Sequence, residues 1–265
     1  MKYIGMPMAM WAVFAKSFEK QLTEVFGYDA KTAKAIRKTA KLKYKEIIAK
    51  LPEFEKGDRF SMNIIGCAML GAFVLCMPRR PDTESLTVYY ENAQMTPLMK
   101  WFCRQSGKSK FTPKDIAGMK STAARKAADR NPYSWNMDFY EYPDGSGYEG
   151  RFTRCGTCVL MKKLGLYDLT PALCRLDYAM SEAGGVTDFV NFFLGHGFDK
   201  HAASSFTTFS AYTRSRSTPR RKQGYTAARN RSRRPLRSSR SQGGTARALN
   251  RTAPASSSAR RCRIG

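Results

Sequence analysis

The stretch WNMDFYEYPDGSGYEGRFTRC, Trp135 to Cys155, decides the architecture. Apolar or aromatic residues alternate with polar ones on both sides of Pro143-Asp144-Gly145-Ser146-Gly147. A period of two is that of strands burying one face, and five residues rich in Gly, Pro and Asp between two such runs make a β-hairpin turn. Outside this stretch the period is three to four.

Upstream, Phe14, Phe18, Leu22, Val25 and Phe26 recur at helical spacing and Gly27 follows, which predicts a helix over 8–26 with a glycine cap. The opening MKYIGMPMAMWAVFAKS therefore reads as the start of that helix rather than as a signal peptide. A second helix spans 30–50, with Ala33, Ile36, Ala40, Tyr44, Ile47 and Ile48 on one side and a lysine-rich, solvated face on the other. The longest apolar run, Ile64 to Met77, belongs to a third helix that ends before Pro78. At 14 residues it is shorter than the roughly 20 a bilayer crossing needs, so no membrane association is expected. Ser85 to Glu91 (SLTVYYE) is β-branched and aromatic and predicts a strand. A short helix over 95–104 and a Thr112-Pro113 helix start running to Ala128 precede the hairpin.

Downstream, a helix runs from Cys155 to Gly165, and Thr170-Pro171 opens another that reaches Ala183 before Gly184-Gly185. Helices, hairpin and helices without βαβ alternation predict an α+β domain: N-terminal helices packed with an antiparallel hairpin sheet and two C-terminal helices, over residues 1–211.

The charge separates into two parts. The chain has 265 residues with 46 Lys+Arg against 21 Asp+Glu, a net of +25. Residues 213–265 hold 16 of the basic and none of the acidic side chains, leaving residues 1–212 with a net of +9. The body is thus an ordinary, mildly basic chain, and nucleic acid is a partner only through the tail. From residue 212 onward the Arg/Ser-rich stretch has too little apolar bulk to offset ordering entropy and is expected to be disordered. Two origins fit it: a phosphate-contacting segment, or translation of a GC-rich gene out of frame. Seven cysteines, an odd number in a long chain, indicate a reducing compartment and predict a cytoplasmic protein.

Chemistry concentrates in RCGTCVLMKKLGLYDLTPALCRLDYAMSEAGG, Arg154 to Gly185. Cys155 and Cys158 sit where a strand becomes a helix, beside unpaired amides that favour thiolate over thiol. Cys174, Asp177, Tyr178 and Ser181 follow at i, i+3, i+4 and i+7 on the next helix. A short link makes the two helices neighbours, so three cysteines and one carboxylate can converge. Four readings fit these residues: buried structural thiols, a redox C-x-x-C pair, a zinc site completed by His196 or His201, and nucleophilic or acid–base catalysis.

The hairpin, Cys155 at the end of its second strand, the segment LGLYDLTPALC and the CRLDYAM that overlaps its end together resemble the L-2-amino-thiazoline-4-carboxylic acid hydrolase family. Cys174-x2-Asp177-Tyr178 after a Thr-Pro helix start is the most specific element, and the helix pattern of residues 14–80 is compatible. The resemblance implies a hydrolase that opens a small cyclic amidine-like ring carrying a carboxylate, giving N-carbamoyl-L-cysteine from a small-molecule substrate without a cofactor or a metal. It implies Asp177 as the proton-transfer group and Cys155 or Cys174 as the thiol that attacks or positions water. Arg154 or Arg175, together with Tyr178, is implied for substrate binding. Family members continue after the Asp-bearing helix into a strand with a glycine pair and a Cys-Asp element. Here Thr187 to Ser210 offers Gly195, Gly197 and Asp199 but no cysteine, which predicts a missing closing strand and an exposed sheet edge.

Overall fold

A run of residues apolar on every side needs other elements all around it, and α3 (Ser61–Cys76) is such a helix: Ile64 to Val74 are buried without interruption. The computed structural model describes residues 4–143, 147–185, 189–194 and 206–212, all within one unit spanning Met1–Thr218. Against α3 lie α1 (Pro7–Phe26) and α2 (Ala30–Lys50). Phe73 stacks on Trp11 and Phe18 with ring centroids at 5.5 and 5.0 Å, and the Tyr44 hydroxyl donates to the Pro7 carbonyl at 3.0 Å. The glycine cap of α1 is as the periodicity predicts, with Gly27 at φ +70°.

Residues 85–91 are helical, which corrects the strand expected there. They belong to α4 (Thr83–Gln94). The Asp82 carboxylate accepts from the Ser85 amide and hydroxyl, both at 2.8 Å, and so caps the first turn. Leu86, Tyr89, Tyr90 and Ala93 then bury one helical stripe. The spacing of the apolar residues and the cap override the strand preference of individual Thr, Val and Tyr side chains.

Two further helices, α5 (Pro97–Gly107) and α6 (Pro113–Ala128), lead to the hairpin of β1 (Asn136–Glu141) and β2 (Gly147–Arg154). The turn residues 144–146 lie outside the described residues. After β2 come α7 (Gly156–Lys163), a single 3-10 turn at Tyr167–Leu169, and α8 (Pro171–Ala183). The chain is α+β, as its order of periods predicts.

The expected open edge on β2 is not found. Strands β3 (Phe189–Leu194) and β4 (Phe206–Tyr212) complete a four-stranded antiparallel sheet in the order β1-β2-β4-β3. Residues Gly147 to Phe152 of β2 pair with Tyr212 to Thr207 of β4. FVNFFL and FTTFSAY are aromatic and β-branched, and ladder formation draws on backbone groups, so the lack of a cysteine does not prevent it. Tyr212 is in β4, one residue inside the expected tail. Residues 213–265, and with them the expected disorder, lie outside the described residues.

The sheet is tied to the helices by one buried charge. Lys126 of α6 is 5% exposed and pairs with Asp58, Asp129 (2.8 Å) and the Ser134 hydroxyl (2.6 Å), with its ammonium 5.7 Å from the Phe60 ring centre. Burial pushes the Asp129 carboxyl up, but its bonds to Lys126 and Ser134 outweigh this and hold it below the usual range. Phe60 in turn stacks on Trp135 at 5.0 Å and meets Phe152 edge-on at 5.8 Å. Lys126→Met removes the cation from the buried Asp58 and the half-buried Asp129 carboxylates, so urea denaturation should show a loss of about 3–5 kcal/mol. Adding Asp58→Asn should recover part of that loss.

Candidate active site

Strand β2 ends at Arg154 and α7 begins at Gly156, so Cys155 is the N-cap of a helix, with extended backbone at φ −115° and ψ 115°. Its thiol is buried at 6% exposure, yet it is held down at about 6 from a usual 9.0. The largest cause is a hydrogen bond from the Cys158 side chain. Burial opposes it. The Thr157 hydroxyl and the backbone amides of Cys158 and Thr157 add to the downward side. The Thr157 Oγ1 lies 2.9 Å from the sulfur. An unpaired helix N-terminus thus solvates a thiolate in place of water.

The arrangement demands a glycine at 156. A Cβ there would lie 2.0 Å from the Tyr133 carbonyl oxygen and 3.0 Å from the Trp135 ring. The neighbouring thiol of Cys67 in α3 donates to the Thr157 carbonyl at 3.9 Å, and burial pushes that thiol up.

Cys155 opens onto a cavity of about 540 Å³. Cys174 and Asp177 of α8 line it together with Thr157, so two of the three sulfurs expected to converge share one hollow with the carboxylate, and Cys158 is not on its lining. Burial, then the Asp177 charge, then Cys155 push the Cys174 thiol up. Burial also pushes up the Tyr90 phenol, with Cys67 and Asp177 contributing. Tyr90 and Gln94 of α4 and Asn63 of α3 complete the polar lining. Gly66 keeps the floor open: a Cβ there would stand 3.5 Å from the Tyr90 hydroxyl and 3.9 Å from Gln94 Nε2.

Residues 65–192 match the family model described as L-2-amino-thiazoline-4-carboxylic acid hydrolase. That span is of this hydrolase family. It begins inside α3, ends inside β3 and contains every cysteine and the carboxylate of the cavity. Neither a curated protein nor a solved structure matches the chain.

The other residues that the family resemblance nominated lie elsewhere. Arg154 is half-buried and its Nη2 donates to the Asp129 carbonyl at 2.8 Å, next to the Lys126 cluster. Arg175 is exposed, with its guanidinium carbon 5.5 Å from the centre of the Tyr178 ring. Arg175 and Tyr178 line a separate groove against α4, formed with Thr87 and Glu91. None of the three lines the cavity that holds Cys155.

The remaining readings of the cysteines can be compared with the same geometry. For the zinc reading, His196 and His201 lie outside the described residues, and among the described residues no three His, Cys, Asp or Glu side chains are grouped to hold a metal. For the redox reading, Cys158 does approach Cys155, but the strands described are all antiparallel, with no βαβ crossover. Among the described residues no helix is long and apolar enough to cross a membrane.

Sequence reasoning missed Asn63, Tyr90, Gln94 and Thr157. Thr157 stood in plain sight inside Cys-Gly-Thr-Cys. Tyr90 and Gln94 were hidden because the strand expected over 85–91 ends before Gln94, whereas α4 runs through both and sets them one turn apart.

The thiolate holds only while its donors are in place. Thr157→Val removes one charge-assisted hydrogen bond, so the midpoint for iodoacetamide alkylation of Cys155 should rise from about pH 6 by about one unit. Gly156→Ala should displace the helix start, and alkylation at pH 7 should fall at least tenfold while the circular dichroism of the helices is kept.

Proposed function

We propose that this chain is a cysteine-dependent hydrolase that opens a cyclic amidine-like ring of the 2-amino-thiazoline-4-carboxylate type. The observation that carries the reading is Cys155: a buried sulfur held as thiolate by a helix N-terminus, at the wall of a cavity that also contains Asp177. Cys174 is the less suitable nucleophile, since burial, Asp177 and Cys155 all oppose its ionisation.

In the proposed reaction the Cys155 thiolate attacks carbon 2 of the ring, which is made electrophilic by a protonated ring nitrogen. The bond from carbon 2 to the ring sulfur then breaks, and Asp177 in its protonated form delivers a proton to the departing sulfur. What remains on Cys155 is an isothiourea. Water adds to its carbon, Asp177 takes the water proton, and Cys155 leaves as thiolate. The product, N-carbamoyl-L-cysteine, equals the substrate plus one water. Asn63 and Gln94 supply amide groups on the lining for the substrate carboxylate. We place the protein in the reducing cytoplasm; among the described residues no cysteine is in a disulfide.

The test is release of N-carbamoyl-L-cysteine from 2-amino-thiazoline-4-carboxylate by the full chain, followed by mass. Turnover should rise with pH through about 6, where Cys155 ionises. Cys155→Ala should lower kcat by about 10³-fold or more, and Asp177→Asn by about 10²–10⁴-fold. Absence of product from the wild-type chain, or full turnover by Cys155→Ala, overturns the proposal.

A further inference from the structure

The hollow beside Cys155 does not end at Asp177. A second chamber of about 430 Å³ lies on the other side of that carboxylate, and Asn63, Met99, Phe102, Asp177 and Met180 line both. Each chamber alone falls in the range of about 300–1,000 Å³ that small-molecule sites occupy, so one five-membered ring does not call for two. The second chamber differs in character from the first. Phe60, Met119, Met137 and Phe152 form its wall, and Gly150 of β2 keeps it open, since a Cβ there would meet the Met137 sulfur at 3.3 Å. The polar side chains it adds include Ser106, Lys110, Tyr148 and Ser181, and Lys110 and the Tyr148 hydroxyl are already drawn to Asp115 at 3.8 and 3.4 Å.

The neck between the chambers is itself apolar and open to solvent. Phe102 is 53% exposed although it lines both, and Leu98, on the first chamber, is 48% exposed. Large apolar side chains left half-exposed around a nucleophile are what a hydrophobic ligand covers. Sulfur-bearing Met99, Met119, Met137 and Met180 adapt to irregular ligand shapes at small strain.

From this shared lining we infer that the hydrolysed group of the natural substrate carries an aryl or alkyl substituent, which reaches past Asp177 into the second chamber while the electrophilic carbon rests at Cys155. The inference rests on Cys155 as the nucleophile and adds the substrate class: a substituted, largely apolar small molecule rather than the bare ring. Met137, Phe152 and Met119 are then specificity-determining, since they touch the substituent and not the reacting carbon.

Haloacetamides read the two claims separately. N-methyl- and N-benzyl-chloroacetamide are reacted with the full chain, and the rate of modification at Cys155 is followed by peptide mass, with glutathione giving the intrinsic ratio. The N-benzyl probe should react at least tenfold faster than the N-methyl probe at Cys155, relative to glutathione. Ser181→Trp and Ser106→Phe, which fill the second chamber from two different helices, should each bring that ratio down toward the glutathione value. A wild-type ratio equal to that of glutathione overturns the inference while leaving the nucleophile reading intact. If neither probe modifies Cys155, the nucleophile reading fails. N-benzylacetamide, which cannot alkylate, then decides the chamber: it should raise the Tm of the wild type above that of Ser181→Trp, and no difference overturns the inference.

Discussion

A thiolate can persist in a nearly dry site only where other dipoles replace its water, and for Cys155 the Cys158 side chain does this first, with the Thr157 hydroxyl and the first-turn amides of α7 adding to it. The rest of the structure follows from that requirement. The amides of Thr157 and Cys158 are available because they lie in the first turn of a helix, where no carbonyl four residues back can take them. They are aimed at the sulfur because β2 delivers Cys155 in extended conformation immediately before the turn. The strand-to-helix junction is fixed in turn by the close approach of the Tyr133 carbonyl to Gly156, which leaves no room for a side chain. Nothing in this set is replaceable singly, since the helix, the strand end and the glycine each supply what the others need.

The support beneath the junction is unusual for carrying charge. Lys126, Asp58, Asp129 and Ser134 form a buried cluster where the start of α3, the end of α6 and the approach to β1 meet. Apolar packing alone would hold these three elements together but would tolerate sliding. Directed hydrogen bonds from one ammonium fix their positions, and Arg154 joins by donating to the Asp129 carbonyl. The residue preceding Cys155 is therefore anchored to the same cluster. This explains why Arg154 is turned away from the cavity despite being next in sequence to the nucleophile.

Most of the helices are legible in the sequence because each has both a period and a stop, as in Phe14 to Phe26 followed by Gly27. The cysteine site was legible in part: Cys-x-x-Cys at a strand end and Cys-x-x-Asp on a Thr-Pro helix mark its residues, but α7 packs on α3 and α8 on α4 and α5 rather than mainly on each other, which spacing does not encode. Two further things were not legible. Residues 85–91 have the side chains of a strand and the spacing of a helix, and only the Asp82 cap and the packing against α1 settle which prevails. The arginines were misjudged because a residue near the end of an element faces whichever neighbour binds it first. For Arg154 that neighbour is the Asp129 carbonyl, and for Arg175 it is the ring of Tyr178. The first of these contacts spans 25 residues of sequence, which spacing does not encode.

Asp177 stands where the two chambers meet, and this position constrains its chemistry. A carboxylate near a buried thiol opposes ionisation of that thiol, as at Cys174, where burial is the larger cause and the Asp177 charge the next. A group kept in spite of that opposition is best used where charge changes during a reaction. On the first-chamber side it shares the lining with Cys155 and Cys174, where the proposed leaving sulfur and incoming water would sit. On the second-chamber side it is flanked by Met99, Phe102 and Met180, and a substituent lodged there would seal it from bulk solvent. Exclusion of water lowers the local dielectric and raises the proton affinity of a carboxylate, which is what a general acid requires near neutral pH. Occupancy of the apolar chamber would thus do more than select a substrate: it would shield Asp177, the proposed proton donor to the departing sulfur, from bulk water.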